Sequence, residues 1–237
     1  MKQWIFGHHA VEAAIEAGKR TIYGLYVTDA QADRYIPLLS KKDKVAIHRL
    51  TPREMERKFE GKVHQGVAIQ VSPLEQNLVL EDVMATSQLI VILDQVTDPH
   101  NLGACIRSAN AFGADAVLIP LHGSAPLSDV AAKASVGATE HTPVVTLPSL
   151  NNAIEKLKAE NFWIVGLDGY AEQELSQIDL KGKLVIIMGS EGNGMRPLVK
   201  QNCDFLAKLP MVGQVESLNV SVATGVALYE ALKQRRS

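Results

Sequence analysis

The sequence has few of the residues that build cross-links, metal centres or membrane spans. Its two cysteines, Cys105 and Cys203, provide no disulfide framework, and we expect both to be buried free thiols. No cluster of histidines, cysteines or carboxylates has metal-ligand spacing, which predicts that no metal is bound. No apolar run approaches the roughly 18 residues that a membrane-spanning helix needs. We therefore expect a fold that depends on ordinary packing and has no membrane partner.

We also expect no export signal. The opening stretch MKQWIFGHHAVEAAIEAGKR has charged and polar residues where a signal peptide needs an uninterrupted apolar core. The 237 residues are 46% hydrophobic and 21% charged, which is typical of a globular protein rather than a disordered or fibrous one. We expect a cytoplasmic protein of one large domain or two small ones.

Charge is unevenly distributed along the chain. The net formal charge is -2, which by itself does not indicate a nucleic-acid binder. Residues 1–74, however, contain 12 lysines and arginines against 8 aspartates and glutamates, and the remainder contains 12 against 18. This asymmetry is typical of a polyanion-binding module joined to a more acidic one. A chance excess of lysines on solvated helix faces explains it equally well.

A change of pattern predicts two domains, 1–74 and 75–237. The polar segment SPLEQN at this boundary contains proline and has no periodicity, which is typical of a linker. Within the first domain, Thr51 and Glu54 have the spacing of a capping box at the start of a helix. The helices and strands predicted there are 8–17, TIYGLYVT, 31–42, VAIHRL, TPREMERKF and HQGVAIQVSP.

Short apolar runs alternate with helical segments in the second domain. The runs are β-branched and almost continuously hydrophobic, as strands buried on both faces should be. Alternation of this kind predicts an α/β fold with a parallel sheet. Ligands of such sheets bind beyond the carboxyl ends of the strands. The predicted strands are 89–94, 116–119, 143–147, 162–168 and 184–189.

The first segment that follows a strand is VTDPHNLGACIRSANAFG, which contains Arg107. Helical spacing places Leu102, Cys105, Ile106 and Ala109 against the sheet, and Gly103 and Arg107 on another face. Small residues one turn on either side of an arginine let another backbone or a ligand approach its guanidinium group, which suits phosphate. Without further context, an ordinary surface arginine is the simpler interpretation.

The second segment, MGSEGNGMRP, has glycines at 189, 192 and 194 between a strand and a helix. It fits neither G-x-G-x-x-G nor G-K-[ST], the two common phosphate-binding patterns. Glu191 inside the loop would repel a pyrophosphate but can accept hydrogen bonds from hydroxyls. We interpret the loop as binding something other than a nucleotide phosphate. A plain tight turn is the alternative.

The third segment, LPMVGQVESLNVSVATGVALYEAL, ends a short strand at Pro210 and begins a long helix near Ser217 and Asn219. Small apolar residues cover more than one face of this helix, which predicts burial against two neighbours, one of which is a candidate second subunit. Ser217 is also interpretable as an ordinary helix cap.

These three segments, in kind and order, resemble the motifs of the SpoU/TrmH family of RNA 2'-O-ribose methyltransferases. N-x-G-x-x-x-R-[ST]-A lies within 101–109, G-x-E-G-x-G within 189–194, and P-M-x-G-x-x-x-S-L-N-V-S-V-A within 210–223. The resemblance covers residues 88–237. The pieces GHHAV and HQGV extend it to the type with an added amino-terminal module, which modifies a guanosine in the P-site loop of 23S rRNA.

The resemblance implies a SPOUT-type parallel sheet with a carboxyl-terminal trefoil knot, preceded by a small α/β RNA-binding domain. It implies S-adenosylmethionine as methyl donor, a homodimer, and 23S rRNA or the assembling large ribosomal subunit as partner. Arg107 would bind the target phosphate and the developing alkoxide. By the same resemblance, the catalytic residues are Asn101, Arg107, Glu191, Ser217 and Asn219, and the residues that bind the donor are Gly189, Leu209, Met211 and Leu218.

Three other functions stay open at this point. A tRNA ribose methyltransferase shares these motifs, although the extra module disfavours it. A non-catalytic rRNA-binding assembly factor is disfavoured because all five polar site residues are present. A dinucleotide oxidoreductase lacks its glycine fingerprint here. His8, His9, His64 and Gln65 are interpretable either as RNA contacts or as structural groups.

Overall fold

A computed structural model of the chain describes residues 2–39, 45–74, 78–190, 192–215 and 217–237. The chain divides into two compact units. The first comprises Met1–Glu75 together with Val136–His141, and the second comprises Gln76–Ser135 and Thr142–Ser237. The segment Val136–His141 therefore belongs to the first unit although it lies far along the chain. The sequence did not indicate this excursion.

The first unit is a four-stranded mixed sheet with helices on both faces. The strand order is β1-β4-β2-β3, in which β2 and β3 are parallel and the other neighbours are antiparallel. Its elements are β1 (Gln3–Phe6), α1 (His8–Ala17), β2 (Ile22–Thr28), α2 (Asp29–Leu39), β3 (Ala46–Leu50), α3 (Pro52–Lys58) and β4 (Val67–Val71), and the distant segment adds a short helix, Ala138–His141.

Two clusters of apolar side chains form the core of the first unit. Residues of α1 and α2 bury one face of the sheet, and the shorter α3 packs on the other through Met55 and Phe59. The capping box of α3 is confirmed, because Thr51 Oγ1 accepts from the Glu54 backbone N–H and Glu54 Oε2 accepts from the Thr51 N–H at 2.8 Å. The strand β1 was not predicted from the sequence.

The second unit is built on seven strands, and all pairings between them are parallel. The strand order is β7-β6-β5-β10-β8-β11-β9. Its elements are α4 (Leu80–Met84), β5 (Leu89–Leu93), α5 (Pro99–Ala111), β6 (Ala116–Pro120), α6 (Asp129–Ala134), β7 (Val144–Leu147), α8 (Leu150–Ala159), β8 (Trp163–Leu167), β9 (Gln173–Glu174), β10 (Leu184–Met188), α9 (Pro197–Gln201), β11 (Phe205–Lys208) and α10 (Val220–Arg236), where α7 is the short helix of the first unit.

The core of this sheet lies where the sequence predicted it. Every residue of β5, β6 and β10 is buried, as expected for central parallel strands covered on both faces. The five strands predicted in this domain are all present, with ends shifted by one residue at most. The parallel α/β prediction is therefore confirmed.

Strand order defines a switch point in the sheet. From β5 the chain runs outward through β6 to β7, and it then crosses to build the other half from β8 and β10 onward. The reversal lies between β5 and its neighbour β10. Loops that leave the carboxyl ends of strands on two sides of such a reversal diverge, and the crevice between them is where open α/β sheets bind ligands.

Candidate active site

An ion pair joins the loops that follow β5 and β10. Asp94, directly after β5, is fully buried, and its carboxylate accepts from the Arg196 backbone N–H and Nε, each at 2.8 Å. The guanidinium Nη2 also lies 2.7 Å from Asp94 Oδ1, so the charged group approaches the carboxylate through a single oxygen atom. A buried carboxylate requires such compensation. The pair anchors the end of the glycine-rich loop to the switch point.

The glycine-rich loop closes on itself. Ser190 and Gly194 exchange two backbone hydrogen bonds of 3.0 Å, and Gly192 and Gly194 have φ values of 87° and 66°. A Cβ on Gly189 would lie 2.2 Å from the carbonyl carbon of Gly194, so only glycine fits there. The tight turn is present, and whether Gly189 also contacts a donor stays a prediction. Glu191 lies outside the described residues.

The helix α5 begins at the same edge of the sheet. Asp98 caps it by accepting from the His100 backbone N–H at 2.9 Å. A Cβ on Gly103 would lie 2.4 Å from the Ala131 carbonyl oxygen and 2.5 Å from the Ala134 Cβ of α6. The small residue beside Arg107 on the amino-terminal side therefore admits a neighbouring backbone, which was one of the two roles predicted for it.

Arg107 lies one turn further along the same face of α5 and is exposed. Among the residues that the structure describes, it has no hydrogen bond or ion pair. An arginine engaged in structural stabilisation usually has acceptors for its five N–H groups. Its guanidinium is thus available for a phosphate or another anion.

The structure brings together two of the predicted catalytic residues. Asn219 Nδ2 donates to Asn101 Oδ1 over 3.0 Å, which links the start of α5 to the start of α10. Asn219 is also the N-cap of α10, because its Oδ1 accepts from the Ser221 backbone N–H at 2.9 Å. One amide side chain therefore caps a helix and orients a neighbouring asparagine.

Ser217 is exposed, lies two residues before the N-cap and has no side-chain hydrogen bond with a described residue. Its interpretation as an ordinary cap is wrong, since Asn219 caps the helix. The described contacts join neither Ser217 nor Arg107 to the asparagine pair.

Exposed apolar side chains follow β11. Met211 is 40% exposed and Leu218 is 38% exposed, and Leu209 is half-buried. Large apolar groups left in water beyond strand ends are typical of a ligand or partner site. Their contact with the methyl donor stays a prediction.

The residues that the sequence analysis missed are Asp94 and Arg196. The sequence contained a signal for each residue, because Asp94 is the last residue of the run LIVILD and Arg196 is the last residue of the loop GNGMR. A carboxylate at the end of a buried strand and a cation after a glycine-rich loop are each common, so their pairing over 102 positions required the structure.

Two histidines of the first unit have structural contacts. His8 Nδ1 lies 2.7 Å from the Tyr35 hydroxyl, and the His8 backbone N–H donates to Gln65 Oε1 at 3.1 Å. His64 Nδ1 accepts from the Gly66 N–H at 3.0 Å. These contacts favour the structural interpretation for His8, His64 and Gln65. His9 is exposed, and its role stays open.

No group of three or more histidine, cysteine or carboxylate side chains in the described part of the chain is placed to hold a metal ion. No described helix is long and apolar enough to cross a membrane.

The fold is that of the SpoU methyltransferases. The structure of AviRb from Streptomyces viridochromogenes in complex with AdoMet has a TM-score of 0.81 and 22% identity, over 98% of this chain and 90% of that one. A structure described as an RNA 2'-O ribose methyltransferase has a TM-score of 0.82 and 23% identity, over 100% and 90% of the two chains. At these identities the similarity establishes the fold alone.

The chain belongs to the SpoU rRNA methylase family. Residues 88–229 match that family, and residues 4–77 match the substrate-binding domain of RNA 2'-O ribose methyltransferases. Close relatives are named 23S rRNA (guanosine-2'-O-)-methyltransferase RlmB. The Pseudomonas putida protein is 45% identical, over 98% of this chain and 96% of its own length. The Escherichia coli protein is 41% identical, over 99% and 100%.

Proposed function

We propose that the protein transfers a methyl group from S-adenosylmethionine to the ribose 2'-hydroxyl of a guanosine in 23S rRNA. The observation that carries this proposal is similarity over both units to relatives named for that reaction. The proposal extends to a guanosine of the P-site loop, to free rRNA or the assembling large subunit as substrate, and to a cytoplasmic location.

The residues beyond β10 and β11 fit the proposed donor. The donor supplies an electrophilic methyl group on a sulfonium, and its adenine presents an apolar face. Met211 and Leu218 offer exposed apolar surface for that face. Gly189, at the start of the closed loop, and Leu209 offer backbone groups for its polar edge. The trefoil knot implied by the resemblance stays a prediction.

Arg107 has an electrostatic role in this proposal. A guanidinium is effectively always protonated in proteins, so it does not accept the proton of the ribose hydroxyl. It instead holds the phosphate of the target nucleotide and stabilises negative charge developing on the ribose oxygen. Asn101 and Asn219 orient the ribose through amide groups that already fix each other. Glu191 and Ser217 complete the proposed set.

We also propose a homodimer that pairs through α10. Val222, Val226 and Tyr229 on this helix are 51%, 45% and 57% exposed, and they flank a groove against Phe112, the residue that follows α5. Apolar side chains in a row on a helix are seldom left in water by a monomer. The wide apolar surface predicted for this helix is therefore present.

The test is transfer of labelled methyl from S-adenosylmethionine to unmodified 23S rRNA and, separately, to unmodified tRNA. We expect label at a guanosine ribose of 23S rRNA. Arg107→Ala should reduce the rate about 100- to 1000-fold, which is the usual loss when one oxyanion-stabilising group is removed. The variant should still bind the donor, because Arg107 is not among the predicted donor contacts.

Each alternative function has its own outcome in this test. Label in tRNA alone would assign the protein to the tRNA-modifying members of the family. The tRNA-modifying structure from A. aeolicus covers only 67% of this chain, with a TM-score of 0.57. Donor binding without label in naked rRNA or ribosomal precursors would indicate a non-catalytic assembly factor.

A further inference from the structure

One face of the sheet in the first unit is only partly covered. The short helix α3 and the residue that follows it bury the side chains of Met55 and Phe59 against Ala68. Trp4 and Tyr26 at the edge of this cluster stay half-buried, and all of β3 except Leu50 is exposed. The opposite face is closed by two longer helices, α1 and α2. The α3 side therefore presents aromatic rings at a sheet surface that solvent reaches.

Two rings on this surface are stacked, and a third meets them edge-on. Tyr26 and His48 are register partners on β2 and β3, and their rings are stacked with centroids 4.3 Å apart and planes inclined by 14°. The ring of Trp4 meets that of Tyr26 edge-on at 5.0 Å. His48, at the outer end of the stack, is exposed and has no side-chain hydrogen bond with a described residue. One flat ring face therefore ends the stack at the exposed edge strand.

Small residues lie on one side of the ring pair. Gly24 and Ala46 are register partners two residues before Tyr26 and His48, so no large side chain stands on that side. A Cβ on Gly24 would lie 3.2 Å from Tyr26 Cε2, so glycine lets that ring lie low over the sheet.

A cation lies over the same rings. Lys58 Nζ is 5.1 Å from the Tyr26 ring centroid and 5.8 Å from that of Phe59. Within the described residues Lys58 has no carboxylate partner, whereas Glu54 and Glu56 of the same helix are bonded to Thr51 and His64. An exposed ring face and an ammonium group without a carboxylate partner match two parts of a nucleotide: the base face and the phosphate.

We propose that Tyr26, His48 and Lys58 bind one unpaired nucleotide of the substrate RNA, with its base stacked on the exposed ring face of His48. This inference rests on the proposed function for its choice of RNA as ligand. An unpaired base is required, because the bases of a double helix have no free face. The surface selects a loop or bulge near the target, and it contributes to substrate choice rather than to methyl transfer.

Trp4 provides a direct reporter for this surface. The chain has two tryptophans, so Trp163→Phe in the second unit leaves Trp4 as the only one. Fluorescence is titrated with a single-stranded oligoribonucleotide of mixed sequence and with the same strand annealed to its complement. We expect the single strand to quench Trp4, and His48→Ala or Lys58→Gln to weaken binding on the order of tenfold, as expected for loss of one stacked base.

The matched control is Tyr23→Leu. Tyr23 is an exposed ring of the same unit with Lys2 Nζ 4.6 Å from its centroid, so it has the same chemistry at a different place. We expect this variant to bind as the parent does. The proposal would be overturned if His48→Ala and Lys58→Gln bound the single strand as tightly as the parent does, or if Tyr23→Leu weakened binding as much as they do. Quenching of Trp4 by the duplex as strong as that by the single strand would also overturn it.

A second readout separates this proposal from the proposed function. With unmodified 23S rRNA, His48→Ala should raise KM for RNA while kcat is unchanged. Methyl transfer with an unchanged KM in the variant would overturn the stacking site and leave the proposed function intact. Selective quenching of Trp4 by the single strand in a protein that transfers no methyl group would support the stacking site and overturn the proposed function.

Discussion

Arg107 is the residue on which the proposed chemistry depends most, and the fold places no demand on it. It is exposed on α5, and no described residue binds its guanidinium group. A side chain that does not stabilise the fold can be replaced without confusing loss of activity with loss of structure. This separation makes its role testable by a conservative change.

Arg107→Lys keeps the positive charge and removes the planar fork. Because an ammonium group cannot hold a phosphate bidentately, we expect methyl transfer to fall about 10- to 100-fold. The measurement is single-turnover methyl transfer with saturating donor, accompanied by thermal unfolding, which should be unchanged. A lysine variant with the parental rate would show that charge alone suffices.

Cys203 is only half-buried, so the expectation that both cysteines are buried holds for Cys105 alone, yet partial burial already changes the chemistry of the Cys203 thiol. Desolvation raises the pKa of its thiol to about 12, and nearby Lys158 only partly opposes this. The thiolate is the reactive form, so this cysteine should be inert in the folded protein. Cys105 is fully buried on α5.

We expect neither cysteine to react with iodoacetamide at about pH 8.5 in the folded protein, and both to react in concentrated guanidinium chloride.

The raised pKa of the Cys203 thiol also has a consequence for the stability of the protein. The unfolded thiol loses its proton at a lower pH than the folded one, so the free energy of unfolding should decrease as pH rises from about 9 towards 12. Denaturant unfolding curves recorded at increasing pH measure this decrease. Mass spectrometry after alkylation measures the cysteine reactivity, and rapid alkylation of Cys203 in the folded protein would contradict its expected inertness.

Among the elements, buried strands were the most predictable and loops the least. β5, β6 and β10 are short runs of β-branched and apolar residues, and their identity follows from burial on both faces. β1 was missed because only four residues pair with β4, and their partner lies more than sixty positions away. The asparagine pair was predicted as part of the site by resemblance, whereas its hydrogen bond depends on how α5 and α10 pack.

The loop between β10 and α9 should respond to the ion pair that anchors it. Asp94→Asn removes the charge that accepts from Arg196, and a lost hydrogen bond between charged groups costs about 2 kcal/mol. We expect that loss in the free energy of unfolding, together with a higher KM for S-adenosylmethionine, since Gly189 starts the loop. Chemical denaturation and donor titration measure the two effects. An unchanged donor KM would argue that the anchor has no influence on donor binding.

Two glycines in helices should respond oppositely to alanine. In α5, a Cβ on Gly103 would overlap the Ala131 carbonyl oxygen, so Gly103→Ala should destabilise the protein by about 1–3 kcal/mol. In α10, a Cβ on Gly225 would lie 3.5 Å from Ser108 Oγ, an ordinary contact. Gly225→Ala should therefore stabilise by about 0.5–1 kcal/mol through helix propensity. The measurement is the denaturant concentration at the unfolding midpoint of each variant, compared with that of the parent. Midpoints that shift in the same direction in both variants would refute the packing argument.

At the scale of the whole molecule, a buried ion pair connects distant parts of the sequence. Arg20 donates to both carboxylate oxygens of Glu140, at 2.7–3.0 Å, and the two side chains are 5% and 3% exposed. Arg20 also donates to Gln3 Oε1 at 2.8 Å and to the Ser72 carbonyl oxygen at 3.2 Å. Glu140 falls in the region that matches the methylase family. It nevertheless belongs to the first unit, as does its partner Arg20.

Glu140→Gln should destabilise the first unit rather than the second. Removing one charge of a buried pair leaves the other uncompensated, which costs about 3 kcal/mol or more. Hydrogen exchange followed by mass spectrometry should show lost protection in residues 2–74, with 142–237 much less affected. Glu81→Gln, which breaks the exposed Lys156–Glu81 pair, is the control and should leave protection unchanged. Uniform loss of protection in both units would contradict the assignment.

The membership of Val136–His141 in the first unit limits how this protein can be taken apart or recombined. A gene fragment that ends near residue 75 encodes Arg20 without Glu140. It also encodes Ala13 without Gly137, which packs so closely on Ala13 that an added Cβ would lie 2.5 Å from the Ala13 Cβ. A chimera that exchanges the amino-terminal region between two such enzymes therefore inherits one half of each contact from each parent. Exchange of the whole first unit therefore requires two segments to be replaced together, with three crossovers instead of one.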